Sequence, residues 1–221
     1  MLAAGEVFDA AVVIDVLRAF TVAPHVLDGG AERLNLAPTD PDALALKAAL
    51  GPSALAISDV FTDPGFDLPN SPQAVTSHDL VGRPVVQRTT NGTVGVHAAR
   101  QVPLVLCAAL VTASATAAAV TASGARRVAY VVTGEDGNAD EDLVCAELIR
   151  ALVEGTPPPR PADVVDRVRT SRAADRLRAV IAAGKLGVSD QDIEMCTQID
   201  RFDFSVVAQE HDGVITATAR R

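Results

Sequence analysis

Between residue 10 and about residue 155 the chain alternates short apolar runs, polar loops and amphipathic stretches. The apolar runs fall at 10–14, 34–37, 54–57, 85–87, 104–108 and 128–132. Each has strand length, and most carry Val, Leu or Ile on both faces, the pattern of strands buried on both sides of a parallel sheet. The stretches between them predict helices. Ala19, Val22, Ala23, Val26 and Leu27 recur at helical spacing, with Gly29-Gly30 as a stop. Pro24 lies in that stretch and predicts a helix that begins close before it. Thr39 or Asp40 caps a second helix that Gly51-Pro52 ends, and Ser71-Pro72 reads as N-cap followed by first helical residue.

The Pro-rich segment 155–161 reads as a linker or stiff turn. Two helical stretches follow, and then Ser189 with Asp192 three residues on, a capping box in all but side-chain length. The end of the chain alternates apolar and polar residues on either side of Asp212-Gly213, which predicts a hairpin with a type I′ turn. No internal repeat is present. The fold class expected is α/β: a three-layer α/β/α arrangement with a mostly parallel, mixed sheet and an antiparallel C-terminal hairpin, in a single domain over 1–221.

Composition adds limits. The chain has 221 residues, 48% of them hydrophobic but only 3% aromatic, so its core is built from Ala, Val, Leu and Ile. Nineteen basic against 28 acidic side chains leave a formal charge of −9. That balance argues against nucleic acid or an anionic membrane as partner, and an anionic ligand needs a local cationic site or a metal. No stretch approaches the roughly 20 apolar residues of a spanning helix, and residues 1–6 do not read as a signal peptide. Cys107, Cys145 and Cys196 are odd in number and far apart, which fits reduced thiols in a cytoplasmic protein.

The polar residues cluster where strands end. Asp15 follows the first run, 59–71 the third, Thr89-Thr90-Asn91-Gly92-Thr93 the fourth, and 134–142 the sixth. In an open parallel sheet those loops emerge at the carboxyl edge, where ligand crevices form. Asp15, Arg18 and Thr21 open the first helix: a carboxylate there holds a cation or simply caps the helix, and Arg offers a planar fork for phosphate or carboxylate. The 89–93 loop reads either as an anion-binding nest at a helix N-terminus or as an Asn-Gly hairpin turn. Glu135, Asp136, Asp140, Glu141 and Asp142 either hold a cation or complement a helix dipole. Asp136, Asn138, Asp140 and Glu147 match EF-hand spacing, but Glu141 stands where that loop requires Gly, and a strand precedes it, so that reading is rejected.

His25, His78, His97 and His211 are scattered, no Cys pair exists, and neither a Walker loop nor a Gly-x-Ser-x-Gly elbow appears. None of the three cysteines has an Arg six residues on, the spacing of thiol phosphatases. An all-oxygen site for a hard cation is what remains.

Taken together, the motifs Val13-Ile14-Asp15-Val16-Leu17-Arg18-Ala19, Gly65-Phe66-Asp67-Leu68 with Asn70-Ser71-Pro72, Thr89-Thr90-Asn91-Gly92-Thr93 and Glu141-Asp142-x-x-Cys145-Ala146 resemble the 2-phosphosulfolactate phosphatase family. So do Ser171-Arg172-x-x-x-x-Leu177 and Cys196-Thr197-Gln198-Ile199-Asp200, and the resemblance runs in order from about 10 to 207. It implies a Mg2+-dependent phosphatase with an α/β/α fold. The small-molecule ester that the family hydrolyses is 2-phospho-3-sulfolactate, in archaeal coenzyme M synthesis. Carried over residue by residue, Asp15, Arg18, Glu141 and Asp142 are candidate catalytic groups. Asp15, Glu141 and Asp142 are candidate metal ligands. Thr21, Asn70, Ser71, Thr89, Thr90, Asn91, Gly92 and Thr93 are candidates for holding the anionic groups.

The chain departs from the family's usual Gly-Glu-Arg stretch after the third strand, reading Ile57-Ser58-Asp59-Val60-Phe61 instead. Asp59 or Asp63 stands as a replacement acid, and nothing replaces the Arg. An alternative is therefore a non-catalytic or altered-specificity anion-binding member of the family. A haloacid-dehalogenase-type phosphatase is a further rival, but that family wants an acid where this chain has Leu17. The assembly is open, with a homodimer among the options.

Overall fold

Each apolar run becomes a strand, and three of them do so residue for residue. The computed structural model describes residues 6–59 and 63–221; Val60 and Phe61 of the departing stretch lie outside the described residues. The strands are β1 (Ala10–Ile14), β2 (Arg33–Ala37), β3 (Leu55–Ser58), β4 (Leu68–Pro69), β5 (Pro84–Arg88), β6 (Leu104–Ala108), β7 (Val128–Val132), β8 (Ser205–His211) and β9 (Val214–Arg220). They form one sheet in the order β4-β3-β5-β2-β9-β8-β6-β1-β7. The helices are α1 (Ala19–Asp28), α2 (Asp40–Leu50), α3 (Pro72–Thr76), α4 (Gly92–Ala99), α5 (Ala113–Ser123), α6 (Asp140–Glu154), α7 (Pro161–Arg169), α8 (Arg172–Ala182) and α9 (Asp190–Cys196).

The register explains the core. Directly opposed residues run across the sheet from Leu55 through Val85, Leu34, Ala217, Ala208 and Val105 to Ala11. All of them are buried in the main apolar cluster. Facing partners share a side of the pleat, so this row marks one continuous apolar face. α1 packs on β2, β6 and β9, and α4 on β1, β2 and β6. On the other face α2 covers β5, β2 and β3, burying Ala37, Ala43 and Val86, while α5 and α6 cover β6, β8, β1 and β7. The three-layer α/β/α reading therefore holds.

The hairpin is present, with left-handed Asp212 (φ 52) and Gly213 (φ 80) at its tip as a type I′ turn requires. Its position differs from a terminal addition, since β8 and β9 sit at the middle of the sheet. β2 pairs antiparallel with β9, β9 with β8, and β8 with β6. Three reversals set the β2, β3, β5 block against the β1, β6, β7 block, so their carboxyl ends do not share one edge. The ends of β1 and β5 nevertheless lead to one place, where Gly92 lies against Asp15 and Ala19.

Local signals acted largely as read. The Thr39 hydroxyl accepts Asp42 N–H (3.2 Å) and the Ser71 hydroxyl accepts Ala74 N–H (3.0 Å), each capping its helix. Gly155 ends α6 in a left-handed conformation, and Pro161 opens α7. α1 is a correction: it starts at Ala19, well before Pro24, and continues through it. Residues Ala19 through Val26 are all buried, and that packing outweighs the hydrogen bond lost at Pro24. Cys107, Cys145 and Cys196 are buried free thiols. Among the described residues no helix is long and apolar enough to cross a membrane.

If the hairpin is central, its apolar residues carry the whole fold. Ile215, buried opposite Leu36, is the test position. Ile215→Ala is expected to cost about 2–5 kcal/mol, lowering the melting temperature by roughly 2–4 °C per kcal/mol. A loss below about 1 kcal/mol in urea unfolding would mean that the hairpin is peripheral.

Candidate active site

The loop that leaves β1 builds two polar clusters at once. At its start Asp15, 8% exposed, accepts Ala19 N–H (3.0 Å) on Oδ1 and a further hydrogen bond from the Gly92 N–H. One carboxylate thus closes the starts of α1 and α4. Next along the loop, Val16 N–H donates to Asp142 Oδ1 (2.8 Å), and Gly134 N–H reaches Asp142 Oδ2 (3.4 Å). Asp142 and Glu141 occupy the first turn of α6 and are both buried, with Glu141 hydrogen-bonded to the Ser171 hydroxyl.

The approach of α4 depends on glycine. A Cβ on Gly92 would lie 2.7 Å from Ala19 Cβ and 2.8 Å from Asp15 Oδ2. One on Gly95 would lie 2.9 Å from Val13 Cγ1 and 2.8 Å from Thr133 Cγ2. The missing side chains let the β5–α4 corner press on the end of β1. Of the two readings of the 89–93 loop, the structure takes the helix N-terminus.

The acids repel one another. Burial, then Asp59 and Glu141, push the Asp15 carboxyl up to about 7. Burial, then Asp15 and Glu141, raise Asp142 well above the usual carboxylate range. Glu141 is raised by burial and then by Glu135. Two backbone N–H bonds to each aspartate are insufficient compensation, and Asp15, Glu141 and Asp142 take part in no ion pair within 4 Å among the described residues. Such a cluster needs a proton or a cation.

Oxygen donors and excess negative charge suit a hard divalent cation. A second observation agrees. The Gln87 amide, fully buried, donates through Nε2 to Ala19 O (2.9 Å) and Asn70 Oδ1 (3.0 Å), which fixes its orientation and leaves Oε1 buried without a partner among the described residues. Ala19, whose carbonyl takes this amide, donates its own N–H to Asp15, and an orphan buried acceptor fits a polar guest such as an ion's hydration shell. Among the described residues no group of three or more Asp, Glu, His or Cys side chains is placed to hold a metal ion. The fit is one of charge and donor chemistry.

The second cluster surrounds Asp192. Arg18 Nη1 bonds to Asp192 Oδ2 (3.1 Å) and Gly187 O (2.9 Å), and Ser71 Oγ donates to Asp192 Oδ1 (2.6 Å). A third contact set lies alongside: Asp59 accepts from Asn70 Nδ2 (2.9 Å) and from Thr90 N–H (2.8 Å). The predicted groups are therefore brought together, but several are already engaged. Thr21 Oγ1 donates to Val16 O (2.9 Å). Thr89 and Thr93 each accept the other's N–H on a side-chain oxygen at 3.0 Å. Those hydroxyls shape the loops, while Asn91 is exposed at the mouth of α4 with no side-chain cap bond. Asp136 and Asp140 are exposed to solvent. Asp192 and Gln87 were not singled out from the sequence; one looked like a capping residue and the other like a strand residue.

Two outcomes follow from this geometry. Gly92→Ala is expected to displace Asp15 and cost about 1–3 kcal/mol, visible as a lower melting temperature; an unchanged melt would contradict the close approach. The pH response has a definite sign. A carboxyl at about 7 in the fold against 3.8 in the open chain binds its proton more tightly when folded. Its stabilisation is complete below 3.8 and is lost as pH rises through about 7. In chelator, the melting temperature should fall across that window, and less steeply for Asp15→Asn. Equal slopes would refute the assignment.

The chain is similar to known proteins along most of its length. The family model of the 2-phosphosulpholactate phosphatases matches residues 2–211. A Bacillus subtilis protein named a probable 2-phosphosulfolactate phosphatase is 29% identical over 213 residues, covering 96% of this chain and 92% of its own. One of the same name from Synechococcus sp. (strain CC9605) is 34% identical over 243 residues, 95% of this chain and 92% of its own. Another from Deinococcus radiodurans is 43% identical over 141 residues, 62% of this chain and 58% of its own. The chain belongs to the 2-phosphosulfolactate phosphatase family, a family of phosphoric monoester hydrolases.

Proposed function

We propose that the chain hydrolyses a small anionic phosphate monoester, 2-phospho-3-sulfolactate by the names of its relatives, to 3-sulfolactate and phosphate, with Mg2+ bound at Asp15, Asp142 and Glu141. The observation that supports this most is the buried acidic cluster, which among the described residues makes no ion pair within 4 Å. When bound there, the cation supplies charge neutralisation for phosphoryl oxygens.

The chain's own groups do the rest. Arg18 keeps Nε and Nη2 free of partners among the described residues and presents them to a phosphate oxygen pair. The N-terminal end of α4 adds its dipole to the same end of the site. Asp15 keeps Oδ1 on the Ala19 N–H (3.0 Å), so the start of α1 sets the orientation of its carboxylate toward the cation. The buried surroundings exclude bulk water and strengthen these interactions.

One contact favours a second reading, an altered-specificity or non-catalytic anion-binding member. Asp59 already occupies Asn70 Nδ2 and Thr90 N–H with its own carboxylate, donors that would otherwise serve a substrate anion. A panel of phosphorylated hydroxy acids, assayed for phosphate release with and without Mg2+, separates the two. Metal-dependent turnover is expected, with Asp15→Asn slower by roughly 100-fold or more. Tight anion binding without turnover would select the second reading, and near-normal turnover by Asp15→Asn would remove Asp15 from the mechanism.

A further inference from the structure

We infer that Asp192 is a positioning residue: by holding one nitrogen of Arg18 it fixes the orientation in which the rest of the guanidinium meets the substrate phosphate. The inference rests on the hydrolase reading above and assigns to that site a residue from the far end of the chain.

Asp192 is fully buried, at the third position of α9. Its carboxylate takes four donors. Oδ1 accepts Ser71 Oγ (2.6 Å) and Gln73 N–H (3.2 Å), and Oδ2 accepts Ser189 N–H (2.9 Å) and Arg18 Nη1 (3.1 Å). These donors come from the starts of α3 and α9 and from the loop before α1, so the group cannot swing without breaking bonds on three elements. Gly187 O takes the other Nη1 hydrogen at 2.9 Å. Two of the five guanidinium donors are thereby used. The other three, on Nε and Nη2, have no partner among the described residues, although the side chain is only 9% exposed. A buried cation with one edge tied and the other open is poised for an anion.

Arg18 is three residues from Asp15, and both act electrostatically on the buried Cys196 thiol together with Asp192. The two clusters therefore adjoin. Capping needs alone are met by a carboxylate that bonds its own helix start, as Asp192 does with Ser189. The bonds to Ser71 and Gln73 support the start of α3, but the bond to Arg18, 174 residues away, has no capping purpose. Outer partners that orient a ligating side chain typically change its affinity or activity by 10–100-fold when removed.

The test is a double-mutant cycle of Asp192→Asn and Arg18→Lys, read as kcat and KM on 2-phospho-3-sulfolactate and as Kd for inorganic phosphate. Each single variant is expected to weaken phosphate binding and kcat/KM by roughly 10–100-fold, with KM moving more than kcat for Asp192→Asn. The double variant should be no worse than the poorer single one, since Asp192 acts through Arg18. Losses that multiply, or an Asp192→Asn variant with unchanged Kd and KM, would overturn the inference. Should Asp192→Asn fail to fold, Asp192→Glu, which keeps the charge but moves it by one methylene, carries the same expectation. A wild type that binds phosphate with this coupling but turns nothing over sinks the hydrolase reading and keeps the inference. A wild type that hydrolyses the ester with multiplying losses does the opposite, and one that neither binds nor hydrolyses sinks both.

Discussion

Asp15 and Asp142 are buried neighbours that repel each other, and among the described residues neither has an ion-pair partner. Like charges in such a place are costly, and the chain spends backbone N–H groups at four points, Ala19, Gly92, Val16 and Gly134, to hold them. A fold that needed only stability would have apolar residues there. Keeping two acids dry is useful when something positive arrives to share them, and the rest of the architecture is arranged around that arrival. The β1 exit loop joins the acids to Arg18, and Arg18 joins them to the C-terminal helix.

The central hairpin makes this convergence possible. It reverses one half of the sheet relative to the other, and the loops that leave β1 and β5 still meet, at Asp15 and Gly92. α1 and α4 fill the space between, and Gly92 and Gly95 set how near they come. The last elements of the chain thus bear on the first: β8 and β9 bridge the halves, and α9 reaches back to Ser71 and Arg18.

The strands were legible because burial on both faces leaves uninterrupted Val, Leu and Ile, and β1, β6 and β7 appear with the limits read from those runs. Caps at Thr39 and Ser71 and the Asp212-Gly213 turn were legible for similarly local reasons. Strand order was not, since the insertion of a C-terminal hairpin between β2 and β6 depends on pairings far apart in sequence. The two-residue β4 carries no periodicity at all, and the buried setting of α1 overrode Pro24. In the site, Asp15, Glu141 and Asp142 stood out as acids after strands. Asp192 did not, because a capping aspartate looks the same whether or not it also grips an arginine. Gln87 was hidden in a strand, and the hydroxyls of Thr21, Thr89 and Thr93 looked available for ligands until their internal hydrogen bonds were seen.

The central claim is that a cation completes the acidic cluster and an anion meets the free edge of Arg18. Crystals grown with Mn2+ and inorganic phosphate, measured at the manganese absorption edge, address it directly. An anomalous peak among the Asp15, Asp142 and Glu141 carboxylates, with phosphate bridging it to Arg18, is the predicted result. A peak confined to surface carboxylates elsewhere, with the cluster closed on itself and phosphate away from Arg18, would contradict it.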